Sequence, residues 1–146
     1  MGSYTISALI NIESEPASVM KRLASTRGIS SWWSTTVNGS ADGVGDEFTV
    51  GFPGSPVDFD FSVVALDENS VSWLSGSHPP PWSGTTIGFS VSADDNGGTN
   101  LMFTHSGFDP ESETIAVVTP AWMAILGRLK ANVEAGTGEA FFQLSN

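Results

Sequence analysis

Apolar residues alternate with polar ones from the start of the chain. In "YTISALINI" Ile6, Ala8, Ile10 and Ile12 fall at every second position, which marks a strand with one buried face. The period then changes. "SEPASVMKRLAS" carries Val19, Met20, Leu23 and Ala24 as one helical stripe. Ser14 or Glu15 can cap it, and Pro16 suits the first turn, where no N–H is needed. "RGISSWWST" reads as a second short helix, set off by Gly28. On a helix Ile29, Trp32 and Trp33 stand at i, i+3 and i+4 and form one apolar stripe. Trp32 is expected in the core and Trp33 nearer a cavity entrance.

Between about residues 46 and 107 the period returns to two. "EFTVGF" alternates Phe48, Val50 and Phe52. "VDFDFSVVAL" alternates Val57, Phe59, Phe61, Val63 and Ala65. "VSWLSG" brings Val71 and Trp73, and "TTIGFSVSA" brings Ile87, Phe89, Val91 and Ala93. "TNLMFTHSGF" alternates Leu101, Phe103 and His105. "PGSP", "DENS" and "DDNGG" are turns between them. "SHPPPWSG" (77–84) cannot pair in a sheet, because its prolines lack N–H donors. Trp82 in that loop is read as a lid or as the loop's anchor.

The last third is helical. Asp109-Pro110-Glu111 offers a start, with a capping carboxylate and a first-turn proline. Thr119-Pro120 offers a second start or a kink. Trp122, Ile125, Leu126, Leu129 and Val133 recur at helical spacing, and Gly136 is a natural stop. The order is strand, two short helices, a curved antiparallel sheet of about six strands, one long helix. That is an α+β fold over a single domain, 1–146. Each strand has one apolar face and the helix one apolar stripe. The helix is therefore expected across the concave face, gripping a cavity.

Charge narrows the partners. Sixteen acidic residues against five basic ones give a formal net charge of −11. Such a surface repels nucleic acid and anionic membranes. No stretch approaches the roughly 20 apolar residues of a membrane span. The opening residues lack the basic start and unbroken apolar run of a signal peptide. Cysteine is absent, so disulfides and thiolate chemistry are excluded, which fits a cytoplasmic protein. His78 and His105 stand apart without metal-ligand spacing, and no phosphate or dinucleotide loop is present. No cofactor or metal is expected.

His105 is the main polar candidate, because it shares strand parity with Leu101 and Phe103 and so points at the helix. Asp58 and Asp60 share the opposite face from Phe59 and Phe61 and are read as solvent-facing. Phe141 and Phe142 are read as docking on the domain or on a second subunit, which leaves a homodimer open.

The chain resembles a known family in five places: "INIESEPASVMKRLAS", "ISSWW", "GVGDEFTV", "GTNLMFTHSGF" and "PAWMAILGRLKANVEAG". In this order they resemble the helix-grip proteins of the START/Bet v 1-like (SRPBCC) superfamily, in the branch named after the C-terminal domain of the Hsp90 ATPase activator. The resemblance implies the same helix-over-sheet fold. Ala121 stands where the family often has Gly, Pro120 precedes it, and "SHPPPWSG" departs from the pattern. The activator role belongs to a larger, multidomain protein and is not implied for this chain.

Function is then expected to be the binding of a small apolar or amphipathic molecule, rather than catalysis. The expected cavity residues are Trp33, Phe61, Trp73, Phe89, Phe103, His105, Trp122 and Leu126, with His105 and the Trp73 indole as polar contacts. The alternatives are a cyclase- or hydrolase-type enzyme using His105 as acid–base, and a chaperone-cofactor-like interaction module using the proline loop.

Overall fold

The computed structural model describes residues 3–78 and 80–142. Met1 and Gly2, with the reading of the chain's first residues, and Pro79 of the proline loop lie outside them. One antiparallel sheet holds β1 (Tyr4–Ile12), β2 (Thr36–Gly39), β3 (Glu47–Gly51), β4 (Phe59–Leu66), β5 (Ser70–Ser75), β6 (Thr86–Ala93) and β7 (Thr99–Phe108). The strand order is β1-β7-β6-β5-β4-β3-β2, so each strand from β2 to β7 pairs with the next, and β1 closes onto β7. Helices α1 (Pro16–Leu23) and α2 (Thr26–Ser30) link β1 to β2. Helix α3 (Thr114–Ala135) follows β7 and packs on the concave side.

Strand β2 is one that alternation does not mark. Its segment, "TVNG", has a single large apolar residue, Val37, and lies at the sheet edge, so it gives no alternation to read. Helix α2 is shorter than its sequence pattern implied. It ends at Ser30, and Trp32 and Trp33 occupy the turn after it, both N–H groups on the Ile29 carbonyl. Gly28 is required there, because an added Cβ would collide with the Lys21 carbonyl where α2 crosses α1.

Helix α3 begins later than the Asp109-Pro110-Glu111 signal suggested. Asp109 closes a turn instead: its carboxylate accepts from the Glu111 N–H at 3.0 Å and its carbonyl from the Ser112 N–H at 2.9 Å. The helix ends at Gly136 in the left-handed conformation, φ 71°.

Pro120 neither starts nor ends α3, which runs through it for 22 residues. The proline has no N–H for the Ala116 carbonyl one turn back, and its ring is exposed. Pro120→Ala should therefore stabilise the protein by about 1–3 kcal/mol. A urea midpoint equal to or below that of the parent would show that the proline is relieved in some other way.

Candidate functional site

The concave face is packed with rings. Trp33 is the hub, with ring centroids 5.1 Å from Trp122, 5.6 Å from Phe61, 5.7 Å from Phe52, 5.9 Å from Trp32 and 6.2 Å from Trp73. Phe89 and Phe103 continue the cluster at 5.2 Å from Trp73 and 4.6 Å from Trp122. These are contact distances for aromatic pairs. Phe61, Trp73, Phe89, Phe103, His105 and Leu126 are buried core residues and do not line the main groove. Strand alternation, and helical spacing for Leu126, put them on the correct face. Large rings from the sheet, the turn after α2 and α3 then meet across the narrow concave space and fill it.

The open space lies to one side. A groove of about 530 Å³ runs beside the N-terminal half of α3. Trp33 and Trp122 form its floor. Phe52 and Phe59, which flank the "PGSP" turn, form one wall with Phe142, and Val117, Val118 and Ala121 form the other. Pro81 and Trp82 close one end. Polar groups are few: Ser55, Thr114 and the exposed Glu113. Of the expected cavity residues, Trp33 and Trp122 line it.

Trp82 is an anchored wall. Its ring stands edge-on to Phe59 at 4.9 Å and to His105 at 4.7 Å, and its carbonyl accepts from the Thr85 N–H at 2.9 Å.

Trp32 and Trp33 are equally buried, at 0% and 1% exposure, so the expected difference in burial is not observed. What separates them is contact. Trp32 faces α1, its indole N–H donating to the Arg22 carbonyl at 2.7 Å, while Trp33 faces the groove. The backbone of both is held by the C-terminal segment. The Phe141 and Phe142 N–H groups donate to the Trp32 and Trp33 carbonyls at 2.9 Å, and Thr35 N–H donates to the Phe142 carbonyl at 2.9 Å. This short parallel pairing seats Phe142 against Phe52, 4.9 Å between centroids. Sequence reading marked Phe142 as apolar but had no signal for its strand-like docking, which depends on backbone hydrogen bonds alone.

His105 sits in the middle of a directional chain of hydrogen bonds. The Trp122 indole can only donate, and it meets His105 Nδ1 at 3.0 Å. Nδ1 is therefore the acceptor and Nε2 carries the proton. Nε2 lies 2.8 Å from Thr85 Oγ1, whose own proton goes to the Trp82 carbonyl at 2.6 Å. Both ring nitrogens are thus engaged. Burial holds the imidazole at about 3, against an ordinary value of 6.5. Protonating Nδ1 would also set two N–H groups against each other. A ring so fixed ties β7, α3 and the proline loop together, and leaves neither nitrogen open for acid–base work.

Asp58 and Asp60 stay on the outer side, and Asp60 accepts from the His78 backbone N–H at 2.9 Å. Among the described residues no group of three or more His, Asp or Glu is placed to hold a metal ion. Nor is any helix among them long and apolar enough to cross a membrane.

No protein-family model matches the chain, and no curated protein sequence does. Solved structures do. A Mesorhizobium loti protein superimposes with a TM-score of 0.79 at 18% identity, over 90% of this chain and 98% of its own. A Bacillus halodurans protein gives 0.70 at 19% identity, over 92% and 100%. These two show the fold alone. Aha1 from Colwellia psychrerythraea, whose solution structure is of a dimer, gives 0.80 at 30% identity, over 92% of this chain and 99% of that one. With that identity carried across nearly the full length of both proteins, this chain belongs to the Aha1 family.

Proposed function

We propose that the chain is a binding protein of the START/Bet v 1-like kind, and that its groove beside α3 holds a small apolar or amphipathic molecule. One observation carries this reading: a groove of about 530 Å³ walled almost wholly by aromatic and aliphatic side chains, a volume and lining ordinary for small-molecule sites. Val117, on its wall, is 69% exposed, a large apolar surface that a guest would cover. His105 serves the fold and not a reaction, because its nitrogens are both bonded within the core.

A homodimer is a second reading, favoured by the dimeric Aha1 of Colwellia psychrerythraea at 30% identity. Native mass spectrometry of protein purified from its own host tests both. An apolar adduct displaced by added naphthalene is the expected result for the groove, and a doubled mass the expected result for the dimer. A bare polypeptide mass, with the indole N–H resonances unmoved by naphthalene, would sink the groove reading. A monomer mass alone would sink the dimer.

A further inference from the structure

The sheet ends in two edges, and they are unlike. The β2 edge is four residues long, and the chain just before it is already paired, the Thr35 N–H donating to the Phe142 carbonyl. The β1 edge is nine residues long, and no strand lies beyond it among the described residues. Every second residue of an edge strand turns its N–H and C=O away from the sheet. β1 therefore offers a row of backbone groups to another strand.

Proteins commonly guard such an edge with charge, proline, an irregularity or a covering element. β1 is guarded only at its ends. A register shift separates Tyr4 from Thr5. At the far end α3 covers the strand: Lys130 Nζ donates to the Asn11 carbonyl at 2.7 Å, and the Glu134 carboxylate accepts from the Glu13 N–H at 2.8 Å. Between these guards the stretch "TISALI" has no charged residue and no proline. Thr5, Ser7 and Leu9 are exposed, Leu9 at 67%, and the register partner of Leu9 on β7, Met102, is 40% exposed. An apolar pair thus flanks the open edge on the outer face.

Charge then says which strand fits. At a net charge of −11 the chain repels its own copies through most of its acidic surface. An uncharged strip is where two such copies can approach, and a second copy brings the same strip about a two-fold axis. Building on the homodimer reading, we infer that two copies join β1 to β1, antiparallel, into one continuous sheet. Ser7, at the middle of the open stretch, lies on the axis, and each Leu9 stands opposite Thr5 of the partner subunit.

Sedimentation of the full chain over a concentration series reads the association. Leu9→Lys should raise the dimer dissociation constant about tenfold, because each dimer carries the change twice. Its circular dichroism should match the parent, since the side chain stands in solvent. A lysine lowers the net repulsion between copies, so a weaker dimer would report a local effect. Val64→Lys, 46% exposed on β4, should leave the constant unchanged. The chain has no cysteine, so the thiol of Ser7→Cys can join only its counterpart. Opposed residues on antiparallel strands lie about 4.5–5.5 Å apart at Cα, within disulfide reach. Oxidation with diamide should cross-link Ser7→Cys and leave Ser90→Cys, exposed on β6, as single chains. A dimer that withstands Leu9→Lys, or that Val64→Lys weakens as much, would overturn the inference and leave the dimer standing. So would a Ser7→Cys variant that cross-links no better than Ser90→Cys. A parent that stays monomeric at every concentration would overturn both.

Discussion

Stability should fall steadily as pH drops below 6.5, at about 1.4 kcal/mol per pH unit. The cause is His105. Its folded value of about 3 lies below the ordinary 6.5, so the unfolded chain takes up the proton first. The sign follows from that order. The contribution is whole above 6.5, declines as pH falls, and is gone near 3, for a total of about 5 kcal/mol. Two surface carboxylates act in a more acid window, below 3.8. Asp67, held down by the Asn69 backbone N–H, and Asp94, held down by the Asn11 amide, lie below their ordinary 3.8, so their share is lost only under more acid conditions. Urea midpoints from pH 7 to 5 check this. His105→Asn, which keeps an acceptor near Trp122, should be less stable overall but flat across that range. A flat parent profile, or an equal slope in the variant, would refute the assignment.

Trp33→Ala should cost about 3–5 kcal/mol, the price of removing a large buried aromatic. Trp33 touches Trp32, Phe52, Phe61, Trp73 and Trp122, so no single neighbour can close the gap. Trp32→Ala should cost about as much by the same argument. The two variants should part in binding. Only the loss of Trp33 removes the floor of the groove, so naphthalene affinity should change in Trp33→Ala and hold in Trp32→Ala. Chemical denaturation with a parallel naphthalene titration reads both effects. Equal changes in affinity would mean that the groove floor is not where the structure puts it.

Much of the fold was legible because alternation reports which side of a strand is buried. Phe59, Phe61, Trp73, Phe89, Phe103 and His105 all face the helix side, as their parity said. Alternation is silent on what stands opposite. Whether a gripped helix leaves a space depends on how far the rings of Trp33, Trp73 and Trp122 reach, which is a matter of three-dimensional packing. The groove therefore moved toward the start of α3, where Val117 and Val118 face Phe52 and Phe59. Its other missed wall, Phe142, is set by backbone pairing that leaves no mark on side-chain pattern. The Asp109-Pro110-Glu111 signal was real chemistry used for a turn, since an Asx turn and a helix cap ask for the same residues. The partners of His105 were also out of reach: Thr85 and Trp122 come from a loop and a helix that only the fold brings together.

The pairing of Phe141 and Phe142 with the Trp32–Trp33 backbone sets an order of events during synthesis. Strands, α1 and α2 leave the ribosome well before residue 142 does, and the sheet can pair as it emerges. The wall that Phe142 supplies, and the backbone clamp on Trp33, arrive only after α3 has been made. A nascent chain stalled short of that point would carry Trp33 without its clamp and a groove open on one flank. The groove is thus completed only once α3 and the segment after it have been made.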